Sequence, residues 1–139
     1  MEITQESKVL TDEAVLTLLS AAQKAAAEMG QPQCIVIVDA SGVLLGQLRM
    51  RGARFLSLKS AEAKARTAAS IGAASDTVPA EARPLIAAAT GGAVTGLSGG
   101  LPIRASGVLA GGIGVGSGSG VQDVAVAKAA LAAIGVSHE

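Results

Sequence analysis

The shortage of aromatic side chains restricts what this chain can fold into more than any other feature of its sequence. Phe55 is the only aromatic residue among 139, whereas glycine occurs 18 times. The core must therefore be built from Ala, Val, Leu, Ile and Gly, and helices and strands must approach each other closely to fill space. The sequence predicts that small residues line the contacts between elements.

The charge pattern excludes several classes of protein. Half of the residues are hydrophobic, but charged residues interrupt each apolar run before it reaches the length of a membrane span. Basic and acidic residues balance at eleven each, so no broad positive field is available to hold nucleic acid. A lone cysteine, Cys34, and an N-terminus without an apolar block predict a cytoplasmic protein.

Hydrophobic periodicity predicts the order of the secondary structure. Thr11 is a helix N-cap followed by two acidic residues, and Gly30 with Pro32 ends that helix. The further elements are strands over 34–38 and 43–49, a helix over 57–71, a short helix through 85–89, strands over 101–104 and 108–115, and a helix over 121–134. This order predicts a single α/β (α+β) domain, 1–139 with a core of about 10–135, in which helices cover an antiparallel sheet.

Five local patterns occur in a fixed order between Leu10 and Ile134. They are Ile37-Val38-Asp39 with Gly42, Arg49 with Gly52-Ala53, Lys64 to Ala68, Gly99 to Ile103, and Gly107 to Val115 with Asp123. This ordered set resembles the GlcG/HbpS-like family, which also occurs as the C-terminal domain of PduO proteins. The resemblance implies a profilin-like fold with a central antiparallel sheet, homo-oligomers and a ligand pocket near subunit contacts. Some members bind haem, and others lie in operons for small organic acids or corrinoid metabolism.

The chain lacks the residues that would hold the haem of such members. Haem iron needs an axial His, Cys, Met or Tyr. The sequence has no tyrosine, and its single histidine is the penultimate residue, His138. Cys34 begins a strand predicted to be buried. We therefore expect no haem cofactor, and no metal site either, because no His, Cys or carboxylate cluster has ligand spacing.

The segment Gly99-Gly100-Leu101-Pro102 is the strongest candidate for ligand binding. Two glycines let backbone N–H groups approach a ligand, and successive donors of this kind form an anion-binding nest. The alternative is a tight loop that needs positive φ before a strand. Arg104 follows the motif directly and is the arginine best placed to receive an anion.

Lys64 and Thr67 lie three residues apart on one face of the second predicted helix. Lys64 borders an alanine stripe, where it could anchor a carboxylate or act as an acid or base if desolvation changes its pKa. The alternative, favoured by the spacing alone, is a lysine whose aliphatic stem covers the alanines while its ammonium reaches solvent.

A basic cluster of Arg49, Arg51 and Arg54 follows the second strand. Its arginines could receive an anionic substrate, but solvation or a salt bridge across a subunit interface is the commoner role. Asp39 is expected to organise its turn, and Asp123 to stabilise a helix N-terminus.

Glycine alternates with other residues from Gly112 to Gly120, but no G-x-G-x-x-G motif is present. The run follows a hairpin strand rather than the first strand of a βαβ unit, which excludes a dinucleotide-binding motif. We expect a flexible loop before the last helix.

Three functions remain open from the sequence. The first is an oligomeric binding protein for a small, anionic organic ligand at Gly99–Arg104, with Lys64, Thr67 and Arg49. The second is a cofactor-independent isomerase, lyase, hydratase or cyclase that uses Lys64, Glu62 or Asp39 for acid–base chemistry. The third is haem or corrinoid binding, disfavoured because axial ligands are missing. Low charge, high mean hydropathy and zero net charge predict a homo-oligomer, a tetramer or larger.

Overall fold

The computed structural model describes residues 1–136 and 138. Within this part of the chain, helices and strands follow the predicted order. They are α1 (Asp12–Glu28), β1 (Cys34–Asp39), β2 (Leu44–Arg49), α2 (Ser57–Ile71), α3 (Arg83–Ala89), β3 (Gly100–Ala105), β4 (Val108–Gly116) and α4 (Gly120–Ala133).

The four strands form one antiparallel sheet in the order β2-β1-β4-β3. Cys34 pairs with Arg49 on one side and with Gly116 on the other, so the start of β1 and the ends of β2 and β4 lie at one end of the sheet. Asp39 lies at the other end, beside Gly111. The predicted fold class, an antiparallel sheet covered by helices, is confirmed.

Helices α1 and α4 cover one face of the sheet. Side chains that alternate along β1 and β4 point toward them, among them Ile35, Ile37, Ile113 and Val115, and all four are fully buried. Each such aliphatic side chain contributes about 1.5–3 kcal/mol by leaving water. Thr11 caps α1 as predicted, since its Oγ1 accepts a 3.1 Å hydrogen bond from the N–H of Ala14.

Helix α2 covers the other face and packs directly on a stripe of glycines. Gly112, Gly114 and Gly116 alternate along β4 on this face, and a Cβ added at Gly114 would overlap the backbone of Ala61 and lie 2.6 Å from the nitrogen of Ala65. The prediction that small residues permit close approach is confirmed. Gly112 and Gly114 lie within the predicted strand over 108–115, and the predicted loop is wrong only for Gly116, which extends the strand by one residue.

No helix in the described part of the chain has the length and hydropathy required to cross a membrane.

Candidate functional site

Lys64 lies in a buried ion pair rather than at the surface. Its Nζ donates to Asp123 Oδ2 at 2.9 Å and to the carbonyl oxygen of Val115 at 2.8 Å. The two charged side chains are only 5% and 3% exposed. The alternative in which the ammonium reaches solvent is therefore wrong. The ion pair links α2 to α4, two helices on opposite faces of the sheet, and the two side chains meet beyond the end of the sheet.

Asp123 lies in the first turn of α4, as expected, and also belongs to the buried ion pair. The side chain that caps α4 belongs to Ser119, whose Oγ accepts a 3.2 Å hydrogen bond from the N–H of Gln122. Asp123 instead accepts from Lys64 and, through Oδ1, from the N–H of Gly118 at 3.0 Å. Burial raises the pKa of the Asp123 carboxyl, and the bonds from Lys64 and Gly118 oppose this effect without cancelling it.

The glycines at the start of β3 make room for this pair. A Cβ at Gly99 would lie 2.6 Å from the oxygen of Val115 and 2.9 Å from the Cβ of Asp123, and one at Gly100 would overlap the backbone of Lys64. Gly99 also has a φ of 123°, in the region that favours glycine. The N–H of Gly100, expected to face an anion, donates to Ser75 Oγ at 3.0 Å.

The rest of the predicted ligand segment leads away from Lys64. Leu101 and Pro102 are buried within β3. Arg104 lies five residues after Gly99, about 16 Å along an extended strand. Its guanidinium donates to the carbonyl oxygen of Gly72 at 2.9 Å, where it stabilises the C-terminal end of α2. The structure therefore does not bring Gly99 and Arg104 together in one site.

The three residues considered for acid–base chemistry also lie apart. Asp39 Oδ1 accepts from the N–H groups of Ser41 and Val43, at 2.8 and 3.0 Å, and so organises its turn. The Lys64 ammonium lies at the opposite end of β1, because its acceptor Val115 is opposite Ile35. Glu62 is exposed on the outer face of α2.

Thr67 is fully buried and holds a loop against α2. Its Oγ1 donates to the carbonyl oxygen of Ala93 at 3.3 Å and accepts from the N–H of Thr95 at 3.0 Å. Thr67 therefore positions the loop over 90–95 rather than presenting its hydroxyl to a ligand. Arg49, the last predicted ligand residue, is exposed on the edge strand β2, and β1 and β4 separate it from Arg104 on β3.

The loop held by Thr67 forms one wall of a concave cleft of about 230 Å³, which we call the Arg66 cleft. The turn after β1 forms a second wall, and the C-terminal half of α2 forms the floor. The lining residues are Ala40, Ser41, Gly42, Arg66, Ser70, Thr90, Ala93 and Val94. Arg66 is the only charged residue in this lining, and a shallower cleft beside it shares Arg66, Thr90 and Ala93.

Arg66 is available to a ligand in this cleft. Its guanidinium lies 3.7 Å from Glu62 Oε1, and both side chains are about half exposed, at 46% and 49%. An exposed pair of this kind is worth about 0–1 kcal/mol, so a ligand carboxylate can displace Glu62. Arg66 is not among the predicted ligand residues, and the sequence did not predict the cleft, because the cleft depends on distant chain segments.

The fold is that of a small α+β domain, in which helices cover both faces of the sheet and a stripe of glycines lies under α2. Comparison with known proteins identifies the family. Residues 10–132 match the family model described as haem degrading protein HbpS-like, and the chain belongs to this family. The solved structure of a PduOC–haem complex is 30% identical with a TM-score of 0.89, over 95% of this chain and 99% of that one. A double mutant of HbpS from Streptomyces reticuli is 33% identical with a TM-score of 0.85, over 95% of this chain and 91% of that one.

A curated relative is much longer than this chain. The corrinoid adenosyltransferase PduO of Citrobacter freundii is 35% identical over 124 residues, which are 86% of this chain and 37% of the relative. The chain thus spans little more than a third of that protein.

The sulfur atoms of Cys34, Met29 and Met50, which could ligate haem iron, each contact another group of the chain. The Cys34 thiol is fully buried, and burial raises its pKa, which disfavours the thiolate that binds iron. The sulfur atoms of Met29 and Met50 lie against Gln33, at 3.8 Å from its Nε2 and 3.4 Å from its backbone nitrogen. The Arg66 cleft is lined by no histidine, cysteine or methionine. No axial ligand therefore faces this cleft.

Proposed function

We propose that this chain binds a small organic anion, such as a mono- or dicarboxylate, in the Arg66 cleft. The observation that carries the proposal is a single arginine at the floor of a concave cleft, with no acidic residue in the lining. A guanidinium matches a carboxylate in a two-point, charge-assisted hydrogen bond. Ser41 and Ser70, both exposed, add hydroxyl groups on either side of the ligand.

The size of the cleft favours a compact ligand. Its volume of about 230 Å³ lies below the range of roughly 300–1,000 Å³ that is usual for drug-sized molecules. A planar macrocycle such as haem exceeds this space, and no axial ligand is offered to it there. The acid–base enzyme has no comparable support, because Lys64, Glu62 and Asp39 lie apart.

We also propose that the chain assembles into a homo-oligomer. Large apolar side chains remain exposed on the single copy, among them Phe55, Leu85 and Val121. Exposed apolar surface of this kind marks interaction sites, and a net charge of zero does not oppose association.

Calorimetric titration of the purified protein with a panel of small carboxylates tests the ligand. We expect saturable binding to wild type, a loss of at least about tenfold in affinity in Arg66→Gln, and unchanged affinity in Lys128→Gln. Lys128 is exposed on α4, beyond the sheet from the cleft, so its variant removes the same charge elsewhere. Equal loss in both variants, or binding of none of the panel, would contradict the proposal.

Titration with haemin tests whether the chain binds haem, which the family's description names, rather than a small organic anion. We expect no shifted Soret band. A saturable shift that persists in Arg66→Gln would show that haem binds elsewhere and that the small-anion proposal names the wrong ligand.

A further inference from the structure

The loop between β2 and α2 carries a basic and apolar surface at one end of the sheet. We call it the basic surface, and it comprises Arg49, Arg51, Arg54, Phe55 and Leu56, all exposed. Phe55, the only aromatic residue of the chain, is 72% exposed. Between Asp39 and Glu62 the sequence has no acidic residue, so nothing in this stretch of chain neutralises the three arginines.

Two carboxylates, those of Glu2 and Glu6, lie in residues 1–9, which we call the N-terminal segment. All of these residues are exposed and belong to no helix or strand. Glu2 and Glu6 precede its one basic residue, Lys8, and Ile3 between them is 86% exposed. An apolar side chain flanked by two carboxylates is chemically complementary to an aromatic ring flanked by arginines.

The segment and the surface lie at opposite ends of α1. The C-terminal end of this helix is at the basic end of the sheet, because Met29 lies against Gln33 and Gln33 against Met50. The N-terminal segment begins at the other end, about 25 Å away for a helix of this length. Leu10 packs partly on the core and fixes the origin of the segment there.

We infer that the N-terminal segment of one copy docks on the basic surface of a second copy. In a dimer with two-fold symmetry, the α1 helices of the two copies can run in opposite directions. The N-terminal segment of each copy then reaches the basic surface of the other copy, so the same contact forms twice. Glu2 and Glu6 then pair with arginines such as Arg51 and Arg54, and Ile3 contacts Phe55. This inference rests on the proposed homo-oligomer and does not depend on the ligand of the Arg66 cleft.

Charge exchange tests the inference on the full chain. The variants are E2R/E6R, R51E/R54E and the combination of all four substitutions, and sedimentation equilibrium measures their self-association. We expect each pair to weaken association by at least about tenfold and the combination to restore it to within about threefold of wild type. The variant Lys128→Glu, which reverses the charge of an exposed lysine on α4 outside both patches, should associate as wild type does.

Three results would overturn the inference. They are wild-type association in both pairs of reversals, a combination no better than either pair, and an equal loss in Lys128→Glu. The first result would mean that the interface between copies lies elsewhere on the protein. If the basic surface then binds a different acidic partner, that partner should bind R51E/R54E less well than wild type. A wild-type protein that is monomeric at micromolar concentration would instead contradict the homo-oligomer itself.

Discussion

Two cations on the same helix, Lys64 and Arg66, have opposite environments. They lie about 200° apart around the axis of α2, so one faces the sheet and the other faces solvent. Lys64 reaches past Gly99 and is neutralised by Asp123, whereas Arg66 projects into a cleft with only a loose contact to Glu62. A cation on the inner face of α2 stabilises the fold, because glycines let this helix pack on the sheet backbone. A cation on the outer face of α2 remains available to a ligand.

The largest expected effect comes from breaking the buried pair. Lys64→Met leaves Asp123 buried without its cation, and we expect a loss of about 3–5 kcal/mol in the free energy of unfolding. Urea denaturation measures this loss. In the double variant K64M/D123L, which removes both charges, much of the stability should return. If Lys64→Met costs less than about 1 kcal/mol, the pair does not hold α2 to α4 as described.

A smaller loss should follow from adding a methyl group to the glycine stripe. In Gly114→Ala the new Cβ meets the backbone of α2 at Ala61, and overpacking of this kind costs about 1–3 kcal/mol or more. Gly116→Ala is the matched control, since its Cβ would lie 3.1 Å from the Ser57 oxygen and needs only a slight shift. Equal thermal stability of the two variants would contradict the close packing of α2 on β4.

Removing the Thr67 hydroxyl should loosen the wall of the Arg66 cleft. Thr67→Val keeps the shape of the side chain and loses its bonds to Ala93 and Thr95, at a cost of about 1–2 kcal/mol. We also expect weaker carboxylate binding by calorimetry, although Thr67 contacts no ligand. Thr17→Val on α1 is the control. Unchanged affinity in Thr67→Val would show that the loop does not shape the site.

The buried pair should also make the free energy of unfolding depend on pH. Because burial raises the pKa of Asp123 above 3.8, the folded protein binds that proton more tightly than the unfolded chain. Its contribution to stability is therefore full below about pH 4 and is lost as pH rises through the folded pKa. The difference in unfolding free energy between wild type and Asp123→Asn should fall from pH 4 upward. A difference that rises with pH would mean that the bonds from Lys64 and Gly118 outweigh burial and lower the pKa of Asp123.

The smallest effect on stability is expected at Arg66. Its side chain is half exposed and its pair with Glu62 is loose, so Arg66→Gln should change the free energy of unfolding by no more than about 0.5 kcal/mol. Urea denaturation at neutral pH checks this value beside Lys64→Met. A loss as large as that of Lys64→Met would show that Arg66 is structural too.

The sequence predicted the fold well because its signals are local. Thr11 and Gly30 delimit α1, β-branched runs mark the strands, and the excess of glycine over aromatics indicates close packing. The order and approximate bounds of the helices and strands followed from these patterns without knowledge of any distant contact.

The candidate site was predicted less well because its parts are distant in the chain. Asp123 is separated from Lys64 by 59 positions. Aspartate is common in the first turn of a helix, so its presence there does not indicate a buried ion pair. The cleft exists only because Thr67 holds a loop 26 positions away. Gly99 and Gly100 were identified as important, but their role is to admit Lys64 rather than to form a nest for an anion.

The most direct test of the contrast between Lys64 and Arg66 is a nuclear magnetic resonance titration of the labelled protein with a small dicarboxylate. We expect saturable shifts of the amides that line the Arg66 cleft, at Ser41, Gly42 and Ala93, and we expect these shifts to disappear in Arg66→Gln. The amides of Gly99 and Gly118, beside the buried pair, should stay in place. Shifts centred on Gly99 with none at Ser41 would contradict the account and restore the glycine motif as the binding site.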